Sequence, residues 1–89
     1  MTKKLQKYKP EDYTHYLQTF DLGAAASLVT AGFILVSLDK SNPHKVQFNF
    51  QRDGGIEKIL DDYWTNRLEV KARTFFDNMK MLKNRIYSE

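Results

Sequence analysis

The stretch Asp21-Leu-Gly-Ala-Ala-Ala-Ser-Leu-Val-Thr-Ala-Gly32-Phe-Ile-Leu-Val-Ser-Leu38, followed by Val46-Gln-Phe-Asn-Phe50, decides the fold class because its hydrophobic period changes at Gly32. Before Gly32, Leu22, Ala25, Ala26 and Val29 recur at helical spacing. Thr19 or Asp21 supplies a side-chain oxygen to cap this helix, which is expected to run to about Ala31. Gly32 stands where a left-handed C-terminal cap belongs. Ala24, Ala25 and Ala26 leave a small-sided face that another element can approach closely. After Gly32, Phe33 to Leu38 reads as a strand with apolar residues on both faces, and therefore as a central or covered one. Val46, Phe48 and Phe50 alternate with Gln47, Asn49 and Gln51, which predicts a dry face and a wet face. Asp39-Lys-Ser-Asn-Pro-His44 is rich in turn formers, so the two strands are expected to pair as an antiparallel hairpin with a loop of about six residues.

Working outward, Asp53-Gly-Gly55 breaks the second strand and leads into a short helix with the stripe Ile56, Ile59, Leu60 and Tyr63. Trp64 at its end is expected to plug the edge of the core. From about Glu69 to Tyr87, Ala72, Phe75, Phe76, Met79, Leu82 and Ile86 recur at spacings of three and four. They predict a long C-terminal helix whose apolar stripe covers roughly a third of its circumference. On the other side, Pro10-Glu-Asp offers a helix start that would place Tyr13, Tyr16 and Leu17 on one face. An extended segment from Tyr16 to Thr19 is the alternative. Residues 1 to 9 read as a flexible basic arm. The expected fold is α+β: a single small domain over residues 10 to 89 made of a helix, a two-stranded antiparallel hairpin, a short helix and a long C-terminal helix, the helices covering one face of the hairpin.

The 89-residue chain suits one domain with a thin stability margin, which an aromatic fraction of 13% helps to offset. It has no cysteine. That excludes disulfides and thiol chemistry and leads us to expect a cytoplasmic protein. No apolar run has signal-peptide length, and none reaches the roughly 20 residues that span a bilayer, so no membrane association is expected. The net charge of +3 comes from Lys3, Lys4, Lys7 and Lys9, since from Pro10 onward ten Lys and Arg face eleven Asp and Glu. The pI of 9.2 therefore describes the arm more than the domain.

Catalytic motifs are weak. His15 and His44 are the two histidines, and neither has a partner constellation nearby in sequence. Asp61 and Asp62 are adjacent on a helix and point about 100° apart, so they do not share a site. Gly54-Gly55 precedes a helix as in phosphate-binding loops, but no Lys-Ser/Thr follows and Asp53 would repel an anion. A turn requiring positive φ explains the pair. No enzyme activity, metal or cofactor is expected.

Binding surfaces are better represented. Lys3, Lys4, Lys7 and Lys9 with Tyr8 between them would contact phosphates and stack a base. On the last helix, Arg73 and Lys80 share a flank with Lys83 at the edge of the apolar stripe, while Lys71 and Arg85 lie on the other side. The amides of Gln47 and Asn49 are expected to face outward. Trp64 and Met81, the latter off the main apolar stripe, are candidates for contact with a protein partner or a second copy of the chain, as are the unpaired edges of the sheet.

Thr19-Phe-Asp-Leu22, Ala24-Ala-Ala26, Thr30-Ala-Gly-Phe33, Val46-Gln-Phe-Asn-Phe50, Tyr63-Trp64, Val70, Phe75-Phe76 and Leu82-Lys83 with Tyr87 fall in an order that resembles a family of short bacterial, archaeal and phage or mobile-element proteins known as a domain of unknown function. The resemblance covers about residues 16 to 88. It rests on hydrophobic landmarks and carries over no functional residue. It implies a small α+β domain and a mobile-element setting, and the Lys-rich first fifteen residues depart from it. The expectation is a non-enzymatic nucleic-acid-associated accessory protein that meets DNA or RNA through phosphate contacts. The alternative is a protein-interaction module that docks on a host or replication protein.

Overall fold

The computed structural model describes residues 15–88. Its elements are β1 (Tyr16–Thr19), α1 (Leu22–Thr30), β2 (Leu35–Asp39), β3 (Gln47–Gln51), α2 (Ile56–Trp64) and α3 (Ala72–Tyr87). The domain is α+β, as expected, but the sheet has three antiparallel strands in the order β1-β3-β2, not two. The extended alternative for Tyr16 to Thr19 is the one adopted. With only four residues, β1 carries too short an alternation to announce itself.

β3 is the central strand, because β1 pairs on its other side, and β2 lies at an edge instead of the central or covered position expected of it. A bulge explains its misleading pattern. Leu35 pairs with Phe50 and Leu38 with Phe48, so a step of three residues on β2 matches a step of two on β3, and the register shifts between Leu35 and Ser37. The extra residue keeps Leu35 and Leu38 on the face shared with Phe48 and Phe50. Apolar residues on both faces in a simple alternation thus mark one apolar face with a shifted register. Leu17, opposite Phe50 on β1, joins the same face.

β3 is buried at its centre on both faces. Phe48 and Phe50 are buried toward the helices, where Leu17, Leu28, Ile56 and Leu82 complete the core. Asn49 is also fully buried and does not face outward. Its Nδ2 donates to Ser37 Oγ at 3.2 Å, and its Oδ1 has no hydrogen-bond partner among the described residues.

α1 is held by local chemistry. Asp21 is extended (φ −88°, ψ 122°) and its Oδ1 accepts from the Ala24 N–H at 2.7 Å. At the other end Gly32 takes φ 101°, its N–H donates to Val29 O, and the Phe33 N–H donates to Leu28 O, both at 3.0 Å. This pair of bonds is a Schellman cap, which the positive φ of glycine permits. Ala24 to Leu28 are all fully buried, because α1 lies among β1, α2 and α3. The alanines and Gly23 allow that close approach. A Cβ added at residue 23 would lie 2.0 Å from Tyr63 Oη.

α3 packs with Leu82 fully buried and Phe75, Met79 and Ile86 half-buried beside it. Asn78 Nδ2 donates to Thr30 Oγ1 at 2.9 Å. Lys40 Nζ donates to the carbonyls of Arg85 and Ser88 at 2.6 and 2.9 Å, closing the C-terminal end where a cation is favoured. The expected stripe needs two corrections. Ala72 and Phe76 are exposed, and Met81 is not: it packs partly buried against the core. Of the adjacent rings Phe75 and Phe76 only one can face inward, about 100° separating them around the helix.

Candidate functional site

The outer face of α3 concentrates unpaired positive charge and exposed rings. At about 100° per residue, Phe76, Lys80, Lys83 and Tyr87 fall within a sector of about 60°. Phe76 is 58% exposed and Tyr87 80%. The Lys80 ammonium lies 5.5 Å from the centre of the Phe76 ring. Lys83 is exposed and, like Lys80, lies in no ion pair among the described residues. Arg73, one turn toward the N-terminus, reaches Asp77 at 3.7 Å. Across the whole helix Arg73, Lys80, Lys83 and Arg85 face the single acid Asp77. The predicted cationic flank is therefore present, with Lys83 fully on the outer face. It also contains two rings, Phe76 and Tyr87, that helical periodicity does not mark as surface residues. The signal for Phe76 is its i, i+4 spacing to Lys80.

Acids on α2 are already engaged. Glu57 pairs with Arg52, Asp62 with Lys58 at 2.9 Å, and Arg67 reaches Asp61 at 3.5 Å and Asp62 at 3.9 Å. α2 is thus locally neutralised, whereas α3 is not.

The N-terminal end of α3 is unusual for the same reason. Lys71 sits at the N-cap position (φ −70°, ψ 122°) with no side-chain cap, and the first turn holds Arg73 and no acid. Cations at a helix N-terminus work against its dipole, typically by about 0.3–1 kcal/mol each. Arg85 and Lys83, late in the helix, have local helix electrostatics in their favour, and Arg73 has its i, i+4 partner Asp77; Lys71 has neither.

The other predicted surface residues divide. Asn49 is fully buried and offers no surface; Gln47 and Met81 are half-buried, Met81 packed against the core. Trp64 does not plug the core edge: it is 59% exposed, in a T-shaped contact with Tyr63 at 5.0 Å. Tyr63 anchors this corner, its Oη donating to Asp21 Oδ1 at 3.4 Å. Burial, and secondarily the Asp21 carboxylate, raises the Tyr63 hydroxyl above its ordinary pKa. Nearby in sequence, Phe20 is half-exposed beneath Lys45, whose ammonium lies 4.8 Å from the ring. Lys3, Lys4, Lys7 and Lys9 lie outside the described residues.

Among the described residues no group of three or more His, Cys, Asp or Glu is placed to hold a metal ion. His44 is exposed, in a loop where its N–H donates to Asn42 Oδ1. Gly55 takes φ 87°, which fits the turn reading of Gly54-Gly55. A shallow groove of about 330 Å³ runs between α1 and the start of α3, lined by Thr30, Ile59, Leu68, Val70, Lys71 and Thr74. None of the described helices is long and apolar enough to cross a membrane.

Residues 14–88 match the family described as Domain of unknown function (DUF5659), and the chain belongs to that family. No curated protein and no solved structure matches it significantly.

Proposed function

We propose that this member of the family is a non-enzymatic nucleic-acid-binding accessory protein that holds DNA or RNA against the outer face of α3. The observation that carries the reading is the pair of exposed cations Lys80 and Lys83, in no ion pair among the described residues, beside exposed rings, on a helix whose N-cap residue Lys71 opposes its own dipole. Helix stability does not account for a cation at Lys71, and phosphate contacts would. Lys3, Lys4, Lys7 and Lys9 are proposed to add phosphate contacts. A mobile-element or phage setting belongs to the same reading and is tested by the genes that flank this one.

The test is oligonucleotide binding as salt is varied. Binding measurable at about 50 mM salt should weaken steeply by about 200 mM, and Lys80→Gln with Lys83→Gln should lower both the affinity and the salt slope, by about 0.7–0.9 for each phosphate no longer neutralised. No binding at about 50 mM rejects the reading.

A second reading, a protein-interaction module, is favoured by one observation: Trp64 is more than half exposed on a corner pinned by Tyr63 and Asp21. Exposed tryptophans are common interface anchors. A protein partner whose binding Trp64→Ala abolishes and the double glutamine variant leaves intact would support it.

A further inference from the structure

Resting on the nucleic-acid reading of α3, we infer that the ligand is a single strand, bound by stacking of unpaired bases on Phe76 and Tyr87 with the phosphates held by Lys80 and Lys83. The two rings stand about 16 Å apart along the helix axis, at a rise of 1.5 Å per residue. Both are exposed, on the same sector as the lysines. The Lys80 ammonium lies over one face of the Phe76 ring, so a base stacks on the opposite face, or displaces the ammonium toward its own phosphate. A platform of this kind needs base faces, and these are free in a single strand and hidden in a duplex.

The duplex alternative fits less well. A helix that reads a major groove presents Arg, Lys, Asn or Gln to base edges, with an apolar side chain only where it meets a thymine methyl. Here two of the four residues of the stripe are exposed rings, Phe76 and Tyr87. The lysines suit either ligand, whereas the rings gain most against the open base faces of a single strand. At its far end Lys40 donates to the carbonyls of Arg85 and Ser88 on either side of Tyr87.

The test is fluorescence anisotropy at about 50 mM salt with a labelled mixed-sequence DNA strand of about 20 nucleotides and with its duplex. The strand should bind at least about tenfold more tightly than the duplex. Phe76→Leu with Tyr87→Leu should lower strand affinity about tenfold or more, the loss expected for stacking, and leave duplex affinity within about twofold. Both rings are exposed, so the variant should retain the wild-type melting curve. On the unaltered protein, ultraviolet cross-linking of a strand carrying 5-iodouracil should mark the peptides that contain Phe76 or Tyr87. Equal affinity for strand and duplex, or strand affinity indifferent to the leucine pair, overturns the inference while phosphate binding by α3 stands. Binding to neither probe, nor to an RNA strand of the same sequence, rejects the underlying reading and the inference with it.

Discussion

A methyl group at residue 23 has no space. Ala is the better helix former by about 0.5–1 kcal/mol, yet its Cβ would lie 2.0 Å from Tyr63 Oη and 2.9 Å from Cζ. The Tyr63 side chain must shift to admit it, away from its contact with Asp21 Oδ1 at 3.4 Å and its edge contact with Trp64. Gly23→Ala is therefore expected to destabilise the domain by about 1–3 kcal/mol, read by denaturant unfolding. Adding Tyr63→Phe should recover part of that loss, a non-additivity that marks direct contact. The same hydroxyl gives a pH dependence. Its pKa is raised in the folded protein, first by burial and then by Asp21, so its contribution is complete below the unfolded value near 10 and is lost as pH rises through the folded value. Melting temperature measured from pH 8 upward should fall above about pH 10 in the wild type, and less steeply in Tyr63→Phe.

At the scale of the element, α3 trades its own stability for charge. Lys71→Asp places a capping oxygen at an extended N-cap position and removes a cation from the positive end of the dipole. The variant is expected to be about 1 kcal/mol more stable and to bind oligonucleotides more weakly. A rise in melting temperature with unchanged affinity would detach Lys71 from the binding surface. α3 also shows what a sequence records and what it does not. The cap at Asp21 and the stop at Gly32 are legible because capping depends on a few neighbouring residues and on one backbone angle. The cationic flank is legible from helical spacing alone. Which of Phe75 and Phe76 turns inward depends on how α3 meets α1, and the bulge in β2 depends on the register of its partner. Neither is written in the local order of residues. Asn49 misleads for a related reason: alternation reports that two faces differ, not that the polar one is wet.

On the scale of the whole molecule, one small core joins the sheet and the helices, with Leu82 reaching from α3 to the cluster that holds Phe48 and Phe50. A chain of this size has a total stability on the order of 4–13 kcal/mol. Leu82→Ala should cost about 2–5 kcal/mol and bring the domain close to its unfolding threshold, which a thermal melt would show. Hydrogen exchange should find the amides of β3 protected to the level of global unfolding and those of β1 released sooner, since β1 pairs along one side to β3 only within the described sheet. Faster exchange in β3 than in β1 would contradict this hierarchy. The strand order also sets a timetable for a chain leaving the ribosome. The middle strand of the sheet is the last of the three to be made, about 28 residues after β1 ends, an interval of roughly 1–6 s at ordinary rates of synthesis. Until Gln47 to Gln51 emerge, β1 and β2 have no partner to join, so a nascent chain halted before Phe48 holds two orphan edges, and one released after Gln51 holds the whole sheet.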